Sequence, residues 1–239
     1  MKFFLNYSQP IKPIKKKSVN NQIRIFLYGL LFIGSAATYS QNFTYRYFTE
    51  EGDELSRKEF FQPNDNNNYS AVYFEKDSLI FGVRYRREKY GTLEDSTFQK
   101  VKDYLNTLKE EPIGENDMIV INFLSYVNLE EQKKKTPSNW NIFNREYLRK
   151  LKKIDNVSQF WISRLPSEQM KHFTSERIDW KQDKQGIIPE VFSPYGLEYG
   201  YYVILTPRGD YYYYIGEYGK DRVWKMTEEM RDFQNSHPK

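Results

Sequence analysis

Met118-Ile119-Val120-Ile121-Asn122-Phe123-Leu124 is a run of seven residues with one polar member. A strand points successive side chains to opposite faces, so a run that is apolar at both parities must be covered on both sides. That demands a central strand in a layered α/β domain, and the flanking residues supply the helices. From Asp95 or Ser96, either of which can cap, Phe98, Val101, Leu105 and Leu108 recur at helical spacing and stop before Pro112-Ile113-Gly114. Beyond the run, Trp140, Phe143, Tyr147, Leu148 and Leu151 form one helical stripe. Val157 to Ser163 reads as the next strand and Pro166 to Phe173 as a short helix, after which the chain reads as irregular from Asp179-Trp180 to Pro194-Tyr195-Gly196. Tyr201 to Thr206 and Tyr211 to Gly216 flank the hairpin turn Pro207-Arg208-Gly209-Asp210. A last helix from about Asp221 to Phe233 turns Val223, Met226, Met230 and Phe233 inward. The first two strands are expected parallel and the hairpin antiparallel, giving a mixed sheet with helices on both faces.

Residues 42–93 carry the alternation of strands. Phe43 to Phe48 and a second short strand at Lys58 to Gln62 are expected before the loop Pro63-Asn64-Asp65-Asn66-Asn67-Asn68. Ser70 to Phe74 and Leu79 to Arg86 then form a hairpin about Lys76-Asp77-Ser78. The expected division is a leader over 1–40, a β-rich region with its connecting helix over 41–111, and an α/β domain over 112–239.

The leader carries Lys2, Lys12, Lys15, Lys16, Lys17 and Arg24 with no acid, then the apolar run Ile25 to Ile33 and small residues up to Ser40. That is the layout of a secretory signal peptide cut before Gln41 and is similar to the leaders of exported Bacteroidota proteins, which places the mature chain in the periplasm or outside the cell. The alternative is an uncut membrane anchor over residues 25–38, although its apolar core falls short of the ~20 residues that span a bilayer. Taking those six cations from the 36 Lys and Arg leaves 30 against 32 acids, so the positive net charge belongs to the leader and nucleic-acid binding is not expected. There is no cysteine. Disulfides, thiolate nucleophiles and Cys-ligated metal or iron–sulfur centres are therefore excluded.

From Met118 onward the order strand, helix, strand, helix, hairpin, helix resembles a thioredoxin-like domain of the TlpA type. Ile119 to Phe123 is similar to the strand before the family's redox motif, and Tyr147 to Leu151 followed by Asn156-Val157 to its helix and return strand. Val203 to Asp210 and Gly216 resemble the strand, turn and closing glycine of its last hairpin. The resemblance implies an α/β, thioredoxin-like mixed sheet, preceded here by an antiparallel β region. It covers residues 117–235.

Two departures bear on function. The two-cysteine motif falls near Asn128-Leu129-Glu130-Glu131, and no cysteine stands there. A carboxamide or carboxylate cannot form the mixed disulfide, so thiol–disulfide exchange is excluded. Where the family places a cis-proline the chain has Tyr199-Gly200-Tyr201. The expectation is a non-catalytic envelope module that binds a protein or peptide in the vestigial groove, through Tyr126, Asn128, Glu131, Gly200 and Tyr201, without metal or cofactor.

Two alternatives belong to other classes. His172, with Glu168 and Glu176 one turn away on either side, and the acid pair Asp179 and Asp183 carry a hydrolase or transferase reading; a structural envelope component is the other. Arg84 and Arg86 share a strand face and are able to grip an anion. In Tyr211-Tyr212-Tyr213-Tyr214 alternate rings face opposite ways, which favours core and cover over a stacking platform.

Overall fold

The computed structural model describes residues 43–62, 68–125, 140–174, 178–193, 195 and 200–237. The central run forms β6 (Met118–Leu124), buried along its whole length. It lies in a six-stranded sheet between β7 (Val157–Ser163) and β9 (Tyr201–Leu205). β6 pairs β7 in parallel from Met118 opposite Val157 to Leu124 opposite Ser163. It pairs β9 antiparallel from Ile119 opposite Leu205 to Phe123 opposite Tyr201. Outside β7 lies β8 (Trp180–Gln182), and outside β9 lies its hairpin partner β10 (Asp210–Ile215), then β5 (Glu88–Thr92) at the edge.

The alternation of β6 feeds two cores. Met118, Val120 and Leu124 join Tyr202, Ile204 and Tyr212 under α3 (Arg145–Ile154) and α6 (Lys220–Ser236), against Tyr147, Leu151, Val223 and Met226. Ile119, Ile121 and Phe123 join Tyr201, Val203 and Tyr213 under α2 (Asp95–Thr107) and α5 (Ile187–Phe192), against Val101, Leu105, Ile188 and Phe192. The chain is thus an α/β protein whose mixed sheet carries helices on both faces. The four tyrosines of β10 divide as strand geometry requires, with Tyr212 in one core and Tyr213 in the other.

A second sheet holds β1 (Thr44–Thr49), β2 (Glu54–Leu55), β3 (Tyr69–Lys76) and β4 (Leu79–Arg86) in the order β2-β1-β4-β3. The β3–β4 hairpin turns at Asp77, whose φ is 56°. β1 runs parallel to β4, Thr44 opposite Leu79 and Thr49 opposite Arg84, so this sheet is mixed rather than wholly antiparallel. The twenty-nine residues between the ends of β1 and the start of β4 leave room for the return that parallel pairing needs.

The expected strand at Lys58 to Gln62 is instead α1 (Arg57–Phe60), because Ser56 and Glu59 close a reciprocal capping box. The stretch read as irregular contains β8 and α5. Asp183, joining them, accepts from the N–H groups of Gly186 and Ile188 and so starts α5, where Pro189 sits harmlessly in the first turn. The helix start expected at Trp140 falls at Arg145; Trp140 and Phe143 belong to a preceding 3₁₀ turn. α2 is capped at Glu94 by backbone alone, not by a side chain.

β4 and β5 are one run of chain shared between the two sheets. At Arg87 the main-chain N–H donates to Asn68 O (2.8 Å) in the first, while the carbonyl accepts from Ile215 N (2.7 Å) in the second. The Arg87 guanidinium secures the switch by donating to Tyr69 O.

Candidate functional site

The expected groove is only partly described. Tyr126, Asn128 and Glu131 lie outside the described residues. Gly200 packs against Leu124 and the Phe123 carbonyl, and its own carbonyl accepts from Gly216 N. Tyr201 is wholly buried and stacks on Phe123 with centroids 4.7 Å apart, so its ring is core rather than contact surface. A Gly-Tyr pair before a strand does not reveal which ring face the sheet will cover.

Beneath it lies a polar network whose clue was the single polar residue of β6. Asn122 accepts from Tyr147 Oη (2.9 Å) and Gln159 Nε2 (3.0 Å) and donates to Tyr218 Oη (3.1 Å), which donates to the Tyr201 carbonyl. The side chains of Asn122, Tyr147 and Tyr218 all find partners in it, and burial pushes the Tyr147 phenol well up. The network locks α3 and the β10–α6 connection onto the sheet.

A cleft of about 980 Å³ opens beside β8 and is lined by Tyr104, Glu168, Asp179 and Lys181 among others. Among the described residues it shows no carboxylate dyad. Asp183 is buried and saturated by Tyr104 Oη (2.5 Å), Gly186 N and Ile188 N, while Asp179 pairs with Lys181 at 2.9 Å. Burial and then the Asp183 hydrogen bond raise the Tyr104 phenol, the opposite of what a general base needs. His172 falls on α4 (Ser167–Thr174) with its side chain outside the described residues, as Glu176 is. Arg84 is occupied, donating to Glu59 O (2.7 Å) and stacking over Tyr69.

Another concavity, about 400 Å³, runs along the free edge of β5 between Tyr90, Gly91 and Tyr211 on the strands and Glu229, Met230 and Phe233 on α6. Tyr90 and Phe233 are 59% and 47% exposed, so two large apolar side chains converge there in contact with water. Phe233, expected to face inward on α6, instead forms this wall. The edge itself has unspent hydrogen-bonding capacity. Leu93 N donates to Gly209 O and Ile215 N to Arg87 O, which fixes the odd-numbered residues of β5 toward β10. Glu88, Tyr90 and Thr92 therefore aim their N–H and C=O groups outward, and among the described residues no main-chain bond meets them.

Side chains hold this edge rigid. Arg222 lies 3.9 Å over the Tyr214 ring and donates to Glu88 Oε2 (2.6 Å) and to Tyr212 Oη (3.2 Å). Tyr212 in turn donates to Glu88 (2.9 Å), and its burial pushes the phenol up to about 12. The Tyr90 ring packs 4.9 Å from Tyr212.

No protein-family model, curated protein or solved structure matches the chain. Among the described residues no helix is long and apolar enough to cross a membrane.

Proposed function

We propose that the chain is an exported thioredoxin-like protein without redox activity that binds a protein or peptide of the cell envelope, its first 40 residues serving as the signal for export. The parallel β6–β7 pair joined through α3, followed by an antiparallel hairpin and a final helix, supports the fold resemblance. The lack of any cysteine supports a binding role over thiol chemistry.

The observation that carries the reading is the open edge of β5 beside an apolar groove. A partner segment in extended conformation would pair with the outward groups of Glu88, Tyr90 and Thr92 and lay alternate apolar side chains between Tyr90 and Phe233. Such strand addition draws affinity from main-chain bonds and selectivity from the groove.

The test is capture from envelope extract with the tagged chain, compared with Tyr90→Pro and Phe233→Ala. Proline at Tyr90 removes an outward donor without breaking a bond to β10, since that N–H is not in the ladder. Loss of one captured protein in both variants, with slowed amide exchange at Tyr90 and Thr92 in the complex, is the expected result. A partner indifferent to both substitutions removes β5 as the contact.

A further inference from the structure

The outer face of the small sheet carries a second surface of different chemistry, independent of the β5 edge. Tyr47 on β1 and Tyr73 on β3 both stand opposite Gly82 on β4, one on each side. Strand alternation puts Tyr45 on that same face. Gly82 is the floor on which this face is built. A carbon placed on it would come 2.9 Å from the Phe60 ring, 3.0 Å from Tyr47 and 3.1 Å from Tyr73. The space a side chain would fill is taken by Phe60, delivered from α1 and packed 4.5 Å from Tyr47 and 6.0 Å from Tyr73. Around this buried pair stand three rings left about half in water: Tyr45 at 51%, Phe61 at 52% and Tyr73 at 48%.

These rings do not cover the main core, whose contribution from β4 is Tyr85 on the opposite face. They are fixed rather than loose, because Tyr47 contacts Tyr45, Phe60 and Phe61 alike. None of the hydroxyls of Tyr45, Tyr47 and Tyr73 meets a hydrogen-bond partner among the described residues. Burial, then the phenols of Tyr47 and Tyr45, raise the Tyr73 phenol. The face therefore offers flat apolar ring surface and a group of uncommitted hydroxyls together. It spans two strand spacings, about 9.6 Å, between Tyr47 and Tyr73.

The geometry points to a saccharide-binding platform on this face, with Tyr45, Phe61 and Tyr73 stacking against the C–H faces of sugar rings and the phenol hydroxyls bonding ring hydroxyls. A sugar presents one apolar face and a polar rim, which matches rings that are apolar across and polar at the tip. A purely aliphatic ligand would leave the three hydroxyls unpaired on binding, a cost the saccharide avoids. The span across Gly82 suits a short neutral oligosaccharide better than a single ring.

The experiment is affinity electrophoresis of the full chain through gels containing soluble neutral polysaccharides (a β-glucan, a xylan and a mannan), followed by titration with oligosaccharides of whichever retards it. Retardation by at least one is expected. Tyr45→Ala with Tyr73→Ala should weaken binding about tenfold or more, while Tyr73→Phe, which keeps the ring, should keep part of it. Phe61→Ala, at an exposed position, repeats the test through a separate ring. Migration unchanged by all three polysaccharides, or retardation indifferent to every one of these substitutions, overturns the proposal. So does lipid-vesicle binding that depends on the same rings in the absence of any sugar binding. Capture through β5 is read with Tyr90→Pro, so either surface can fail without the other.

Discussion

The ring of Tyr211 lies directly over Gly91. A carbon placed on Gly91 would stand 2.6 Å from both Cζ and Oη of Tyr211, its cross-strand partner. An aromatic ring covering a glycine at the sheet edge replaces the packing that the glycine lacks, and the pair stands on the Phe192 face of the sheet, opposite the face that carries Tyr90 and Tyr212. Gly91→Ala is expected to swing Tyr211 out and cost about 1–3 kcal/mol. Urea unfolding reads the stability. An alanine variant as stable as the parent would show that the ring yields freely.

Asn122→Leu keeps the heavy-atom count and branching of the β6 residue but strands Tyr147 Oη and Gln159 Nε2 and removes the donor to Tyr218 Oη, all bonded to it. The expected cost is about 3–4 kcal/mol, since buried polar groups lose partners rather than disappear. Adding Tyr147→Phe to that variant should recover part of the loss by removing one stranded hydroxyl. Double-mutant analysis by urea unfolding measures the recovery, and strict additivity would count against a coupled network.

The Tyr104–Asp183 contact separates two roles. Tyr104→Phe removes one donor and is expected to cost about 1–2 kcal/mol. Asp183→Ala also uncaps α5 and strands the Tyr104 hydroxyl, at about 3 kcal/mol or more. Equal losses in the two variants would mean that the bonds to Gly186 and Ile188 contribute little.

Alkaline pH should unfold the protein early. Burial raises the phenols of Tyr104, Tyr147, Tyr201, Tyr202, Tyr213 and Tyr218, and that of Tyr212 to about 12. A raised folded-state pKa means that the stabilising difference is complete below pH ~10 and is withdrawn as the unfolded chain ionises above it. Tyr212 alone withdraws about 2 kcal/mol by pH 12. Phenolate absorbance should therefore rise in one cooperative step that coincides with loss of near-ultraviolet dichroism. Gradual ionisation without unfolding would place these phenols in water.

Much of the central sheet was legible because its signals are local. β6 announced itself by apolarity at both parities, and β7 and the two tight hairpins by runs bounded with turn residues. The elements that were missed are short or depend on distant partners. α1 was signalled by Ser56 and Glu59, but the aromatic pair Phe60-Phe61 imitates a strand. β8 is three residues long, and α5 is started by Asp183, four residues before its first turn. The parallel pairing of β1 with β4 lies between segments whose local patterns suit either direction. The groove beside β5 was not legible at all, because a strand of five residues does not say whether it ends a sheet. Tyr90 and Phe233 look like core residues until the topology leaves β5 without an outer neighbour among the described residues.

The uninterrupted passage of β4 into β5 through Arg87 has a mechanical consequence. The aromatic face on Gly82 and the open edge at Tyr90 lie along one continuous length of chain, and Arg87 is bonded into a ladder on either side of it. Tension applied between a ligand on one and a partner on the other runs along that strand. It loads the flanking hydrogen bonds in parallel, so they must break together rather than one after another. A chain bearing load between two attachments resists best in that direction.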